Sequence, residues 1–201
     1  HLSRIKGGRL AARIGAGRIH AFAISDVPGD DPSTIASGPT VPDPTTQAEA
    51  KAILAKYRIA IPESAASVLA DPAEETPKPA DPLFCRTDFS IFVRPRDALE
   101  AAEAFARRAG YDVVSLGPDV EGEARDVAAE HARMALDLKR AGRRAMLLSG
   151  GELTVTIRGE GAGGPNQEYA LALALALDGA TGIAALAADT DGADGGRGDP
   201  A

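Results

Sequence analysis

The sequence has no tryptophan and one cysteine, and aromatic residues make up only 4% of its 201 residues. A single thiol, Cys85, allows no disulfide within the chain and no cysteine-based zinc site, which accords with a reducing, cytoplasmic setting. So few aromatics leave no stacking platform for single-stranded nucleic acid, and a core must be built from Ala, Leu, Val and Ile. An excess of positive charge is missing too. Lys and Arg number 22 against 29 Asp and Glu, a formal net charge of −7, which argues against generic nucleic-acid binding. No apolar run reaches membrane-spanning length, and residues 1–17 hold no signal-peptide core. The expected partners are small molecules, without nucleic acid or membrane.

What is present is ordinary globular material, 44% hydrophobic and 25% charged, long enough for one large or two small domains. The chain begins with His1 and stops in a Gly/Asp-rich loop, so a fragment of a longer protein is expected. Residues 1–16 suggest a basic helix weakened by Gly7-Gly8, and 19–24 a strand. Thr45 or Thr46 can cap a helix over 47–57, and a second short helix follows from Pro62 to Leu69. Four prolines between Asp71 and Pro82 make this the best linker candidate. Then come a strand at 89–93, a helix at 97–109 stopped by Gly110, a strand at 111–116, and a helix at 122–141 stopped by Gly142. Strands alternating with helices predict an α/β fold: two α/β domains or part-domains, sheets mostly parallel, helices on both faces. The expected division is 1–75, a linker at 76–84, and 85–201.

Residues 145–177 look like the organising stretch. A short apolar run breaks at Gly150-Gly151, resumes as a β-branched strand, and enters the glycine-rich loop 159–164. Asn166-Gln167-Glu168 then opens an Ala/Leu helix, with Asn166 as the expected N-cap and Glu168 in the first turn. Backbone N–H groups left free at such glycine turns can hold an anion. A last strand is expected at 183–188.

Three loops are placed at carboxyl ends of strands, where open α/β sheets bind ligands. They are 25–31, with Asp26, Asp30 and Asp31; 149–152, rich in N–H groups; and 189–195, with Asp189, Asp191 and Asp194. Each has a plain alternative, since Asp and Gly are also turn formers. Together with the basic residues Lys6 and Arg9, the mixture suits phosphoryl transfer: carboxylates for Mg²⁺, N–H groups and cations for phosphate, a carboxylate for the acceptor's proton. No complete calcium loop or dinucleotide fingerprint is present.

The segments 1–9 (HLSRIKGGR), 25–46 (SDVPGDDPSTIASGPTVPDPTT), 121–125 (EGEAR), 149–152, 163–169 and 189–195 together resemble bacterial-type glycerate 2-kinase. That family is also known under the name hydroxypyruvate reductase, and its C-terminal part is the MOFRL domain. The resemblance implies ATP- and Mg²⁺-dependent phosphorylation of D-glycerate to 2-phosphoglycerate in a cleft between two α/β domains. The first would be the C-terminal part of a Rossmann-like domain, the second a truncated MOFRL-type domain. An N-terminal portion carrying a catalytic lysine would lie outside this chain. Asp26 and Asp191 are the implied catalytic carboxylates. Lys6, Arg9, Ser25, Ser37, Gly150, Gly151, Glu152, Asn166, Gln167 and Glu168 are the implied substrate and phosphate contacts, with Asp189 and Asp194 for metal. Pro165 stands where family members usually carry Arg before Asn-Gln-Glu, which removes a charge and a bidentate contact. A homodimer is left open.

Two other readings remain. An NAD(P)H-dependent hydroxypyruvate reductase wants a dinucleotide fingerprint and a general acid, usually His. Only His1, His20 and His131 are present, and His131 is expected as a solvated mid-helix residue. A non-catalytic sugar-acid binder is the third.

Overall fold

In the first unit of the chain, a glycine pair decides where the first helix can begin. The computed structural model describes residues 1–190 and 192–195 and divides the chain into two units, His1–Arg94 and Pro95–Ala201. Gly7 and Gly8 are left-handed, at φ 60° and 78°. Their N–H groups donate to the carbonyls of Ser37 (2.9 Å) and Gly38 (2.8 Å), so they serve the neighbouring loop rather than a helix. A Cβ on Gly8 would lie 2.8 Å from the Phe84 ring. Helix α1 is therefore only Arg9–Ile14, much shorter than the basic helix expected over 1–16.

Strand β1 (Ile19–Ile24) runs as its alternating pattern predicts, with burial alternating along it. Helix α2 (Gln47–Lys56) starts with a full capping box: Thr46 accepts from the Glu49 N–H, and the Glu49 carboxylate accepts from the Thr46 N–H. Helix α3 (Glu63–Ala70) follows and buries Leu69. Strand β2 (Thr87–Val93) pairs with β1 in parallel, Ile19 opposite Thr87 and Phe22 opposite Ser90. The register shifts after Ala23. One side of this pair is exposed and apolar, with Phe22 and Phe92 packed edge to face, centroids 5.2 Å apart, beside Ile24.

Residues 76–84, expected as a linker, contribute to this first unit. Two short 3₁₀ turns, Pro72–Glu74 and Pro82–Arg86, are capped by Asp71 and Asp81, and Thr76 between them is 3% exposed. The prolines fix φ for these turns, so rigidity and not flexibility is what they supply. Thr76 Oγ1 donates to Asp43 (3.0 Å), and Lys78 Nζ donates to Glu75 (2.9 Å) and to the Thr45 carbonyl. His1 lies between Asp43 and Glu75, 3.7 and 3.2 Å away.

The second unit holds α4 (Pro95–Arg108), β3 (Asp112–Ser115), β4 (Val120–Glu123), α5 (Ala124–Arg140), β5 (Ala145–Leu148), β6 (Gly151–Thr154) and α6 (Pro165–Leu177). β3 pairs with β5 and β4 with β6, both in parallel, as the mixed α/β pattern predicts. β4 takes in the first two residues, 122 and 123, of the helix expected over 122–141; its pairing with β6 keeps them extended. The expected strand at 183–188 does not form among the described residues. It has no ladder partner there, and Leu186 is 90% exposed. An apolar run alone cannot make a strand, because its N–H and C=O groups need a neighbour.

The core of this unit is the α5–α6 contact. Ala124, Ala128 and Ala132 recur every fourth residue on one face of α5 and are fully buried. Small side chains let Leu173, Tyr169, Ala172 and Leu177 of α6 approach closely. The Ala/Leu alternation of α6 puts leucines on several faces, so Leu173 is buried while Leu171 and Leu175 are exposed. His131 is also corrected. It is 5% exposed, with Nδ1 2.9 Å from the Tyr169 hydroxyl. Burial pushes its imidazole below the usual range and pushes the Tyr169 phenol up.

The acid stability of the first unit should depend on Glu75. Burial alone would raise its carboxyl, but the N–H groups of Gln47 and Thr76 and the Lys78 ammonium outweigh this and bring it from 4.5 down to about 2. A carboxyl lowered by folding stabilises fully above its unfolded value and loses that contribution as pH falls through the folded one. Denaturation midpoints measured between pH 5 and 2 should therefore fall with pH, and Glu75→Gln should flatten that part of the profile.

Candidate functional site

Helix α6 begins at a glycine and a proline, neither of which can offer a side-chain cap. Gly164 is the N-cap and Pro165 the first helical residue, in place of the expected Asn166. Proline suits this position because its missing N–H would be unpaired there anyway. The remaining N–H groups are taken by the Asp194 carboxylate. It accepts from Gly164 (3.0 Å), Asn166 (2.7 Å) and Gln167 (2.9 Å). A Cβ on Gly164 would lie 1.9 Å from the Asp194 carbonyl oxygen, so only glycine fits. Burial would raise the Asp194 carboxyl, but the N–H groups of Gln167 and Asn166, with the side chains of Asn166 and Asp189, lower it on balance.

Freed from capping, the Asn166 side chain donates through Nδ2 to Asp189 (2.7 Å). Asn166, Gln167, Asp189 and Asp194 line one open groove of about 300 Å³, floored by Ala170, Ala187 and Ala188. Four of the expected site residues thus meet in one place. Asp191, the expected catalytic partner, lies outside the described residues. Among the described residues, no three His, Cys, Asp or Glu side chains converge as a metal cage. Asp189 and Asp194 are a two-carboxylate set, and Mg²⁺ typically takes one or two carboxylates together with phosphate and water. Asp194 already accepts three N–H bonds, so Asp189 is the carboxylate better fitted to such an ion.

Glu168 turns the other way. It accepts from Arg125 Nη2 at 2.8 Å, at the start of α5. Arg125 Nε lies 3.6 Å from Glu123, whose carboxylate also accepts from the Thr156 N–H and hydroxyl. Glu123 ends β4 and Thr156 follows β6, so this cluster lies at the carboxyl edge of the β4–β6 pair.

Gly150-Gly151 has a structural explanation. The Gly150 N–H donates to Gly117 (2.9 Å), so it is not free for an anion as the glycine turn suggested. At Gly151, φ is 128° and a Cβ would fall 2.0 Å from the Val120 carbonyl oxygen. The pair lets β6 approach β4. Glu152 is exposed opposite Glu121 and does not line the groove.

In the first unit, Ser25 is buried and its N–H donates to Val93, so β1 and β2 end side by side. Asp26 follows, exposed, at that carboxyl edge. Arg94 follows β2 and pairs with Asp30 at 3.4 Å, a cation that no local pattern marks. Asp30, Ala36 and Ser37 all have positive φ without being glycine, at 54°, 50° and 62°. Such strain collects at functional sites. Ser37 is exposed, and its carbonyl holds Gly7. Lys6 is exposed. Arg9, by contrast, is tied to Glu74 at 2.8 Å and to the carbonyls of Glu74 and His1, which joins α1 to the 72–74 turn and occupies its guanidinium.

Residues 1–70 match the family described as "Domain of unknown function (DUF4147)", and residues 145–200 match the MOFRL family. The chain carries a DUF4147 segment and a MOFRL segment. It is 49% identical to a protein from Agrobacterium vitis named "Putative hydroxypyruvate reductase", over 97% of this chain and 45% of that protein. It is 35% identical to the D-glycerate 2-kinase of Thermotoga maritima, over 97% of this chain and 46% of the kinase. The crystal structure of glycerate kinase from Thermotoga maritima superposes with a TM-score of 0.69 at 33% identity, covering 90% of this chain and 43% of that one. The chain thus spans about half the length of the curated relatives it matches. The α6 groove lies within the MOFRL segment, and the strained 30–38 loop within the DUF4147 segment. Among the described residues, no helix is long and apolar enough to cross a membrane.

Two substitutions test the construction of the MOFRL groove. Asp194→Ala should cost about 1–2 kcal/mol, the value of a lost helix cap, in denaturant unfolding followed by circular dichroism. Gly151→Ala should cost about 3 kcal/mol or more in the same measurement, because backbone and not a movable side chain blocks the new methyl.

Proposed function

We propose that the intact protein transfers the γ-phosphoryl group of ATP to D-glycerate, giving 2-phosphoglycerate. The observation that carries this reading is the groove at the start of α6, where Asn166, Gln167, Asp189 and Asp194 converge in a chain 35% identical to a D-glycerate 2-kinase. Phosphoryl transfer asks a protein mainly for positioning and charge stabilisation. Asn166 is held by Asp189 and Asp194 and offers a fixed side-chain amide beside the groove, and the backbone of Gln167 is held there by Asp194. Asp189, which also accepts from Asn166, is the carboxylate assigned to Mg²⁺, an ion that when bound neutralises charge on the phosphate oxygens. Asp26 stands exposed at the carboxyl edge of β1–β2 and takes the role of base toward the acceptor hydroxyl. Lys6, also exposed, is the basic residue assigned to an oxyanion, since Arg9 is committed to Glu74. Asp191 keeps the second catalytic role from the family resemblance.

A hydroxypyruvate reductase has less support, despite the name of the Agrobacterium vitis relative. Its histidine acid is hard to find: His131 is buried against Tyr169, and His20 is paired with Asp88 at 3.2 Å on an exposed strand.

Incubation of the intact protein with glycerate and [γ-³²P]ATP should label glycerate. Asp26→Asn should lower kcat by about a hundredfold or more, as loss of a general base does. Normal turnover in that variant would remove Asp26 from the mechanism. Oxidation of NADH or NADPH with hydroxypyruvate would favour the reductase, and calorimetric binding of glycerate without turnover a non-catalytic binder.

A further inference from the structure

A charged network around His1 takes no part in the phosphoryl-transfer reading. The His1 side chain is only 6% exposed. Its Nδ1 lies 3.2 Å from a Glu75 carboxylate oxygen and 3.4 Å from the Thr76 hydroxyl. Its Nε2 lies 3.2 Å from the Thr45 hydroxyl and 3.7 Å from Asp43. The hydroxyl protons go elsewhere. Thr45 Oγ1 donates to one oxygen of Asp43 at 2.7 Å, and Thr76 Oγ1 to the other at 3.0 Å. Each ring nitrogen therefore faces acceptors alone. A neutral imidazole has one N–H and would leave its second nitrogen, lone pair outward, against oxygen. The doubly protonated imidazolium satisfies both sides.

The surrounding charges agree. Burial would raise the Asp43 and Glu75 carboxyls, but hydrogen bonds from Thr45 and Thr76 to Asp43, and from Gln47, Thr76 and Lys78 to Glu75, lower them on balance. Both are therefore ionised at neutral pH. Lys78 Nζ donates to Glu75 (2.9 Å), to the Thr76 hydroxyl (2.8 Å) and to the Thr45 carbonyl. From α1, Arg9 donates to Glu74 (2.8 Å) and to the His1 carbonyl (3.4 Å). The carboxylates of Asp43, Glu74 and Glu75 are matched by Lys78, Arg9 and a third cation only when His1 carries its proton. An unmatched carboxylate beside a buried ring is costly. The same side chains also support the turn that follows. A Cβ on Gly7 would lie 3.1 Å from both Asp43 and Thr76, and the Gly7 and Gly8 N–H groups hold the strained 36–38 loop. Lys6 lies, exposed, between these two anchor points.

We propose that His1 is a proton-operated clasp: its imidazolium fastens the Lys6-bearing segment 1–8 to the 43–46 and 75–78 segments, and loss of its proton as pH rises releases the start of that segment. The clasp stands on this geometry; only the duty of Lys6 toward an oxyanion rests on the kinase reading. A histidine that gains carboxylate partners on folding holds its proton more tightly there. Its contribution is complete below the unfolded value and is lost as pH rises through the folded one. At the acid end Glu75 stays ionised to about 2, so the clasp is closed in mildly acid solution and opens on the alkaline side.

Nitrogen-15 NMR of the intact protein tests the clasp without any substitution. His1 should hold both ring protons at pH 7 and titrate above about 6.5, the ordinary imidazole value. A His1 imidazole that is neutral at pH 7 would overturn the proposal. The second arm is tryptic cleavage after Lys6, with His1→Gln and wild type compared at each pH so that the protease's own pH dependence cancels. Below the His1 midpoint the wild type should be cut about tenfold more slowly, as linkage requires of an imidazole that holds its proton about ten times more tightly in the closed segment. Above the midpoint the two rates should converge. A ratio that stays constant through the midpoint would make His1 a packing residue and overturn the clasp.

Discussion

The Asp194 carboxylate holds together the part of the molecule where chemistry is proposed. A helix start leaves backbone N–H groups without partners, and α6 begins with Gly-Pro, which provides no side chain to meet them. Asp194 meets three of them from 30 residues further along the chain. Its proximity demands a glycine at position 164, and its occupation of the helix end releases Asn166 to bond Asp189. One long-range acceptor therefore determines the helix start, the glycine and the orientation of the groove's amide.

The same economy appears at the other glycines. Gly7-Gly8 and Gly150-Gly151 could each cradle an anion, judged by residue type alone. In both places the backbone is engaged with another segment, the 36–38 loop in one case and residues 117–120 in the other. Gly150-Gly151 is needed because backbone meets backbone, and Gly7-Gly8 because its φ is left-handed and the Phe84, Asp43 and Thr76 side chains crowd it. The polar residues that remain available lie just beyond such contacts: Asp26 beyond β1, and Asn166 and Gln167 at the start of α6. Glu168, in the same turn, faces α5 instead and pairs with Arg125.

Much of the architecture was legible. Strand β1 coincides with the alternating run 19–24, and α2 with a segment capped by Thr46 and Glu49. Helices α4 and α5 stop before Gly110 and Gly142, where left-handed backbone suits glycine. What escaped was decided by partners. Residues 122 and 123 are extended because β6 lies alongside, and 183–188 are not a strand because no neighbour pairs with them among the described residues. His131 looked solvated among Ala and Glu, yet α6 covers it. Arg9 looked like an anion contact, yet Glu74 occupies it. Arg94 carried no local pattern that set it apart from other surface arginines, and Arg125 stood out only as the end of the 121–125 segment.

The sequence by itself determined the class of fold, the helix and strand periods, the turn positions and the set of polar residues available for chemistry. These follow from local rules: side-chain period, capping chemistry and the φ range of glycine and proline. Only the tertiary structure decided which of those polar residues are free to act. An N–H group, a carboxylate or a guanidinium is available to a ligand only if no distant part of the chain has already bonded it, and that depends on contacts between residues tens of positions apart.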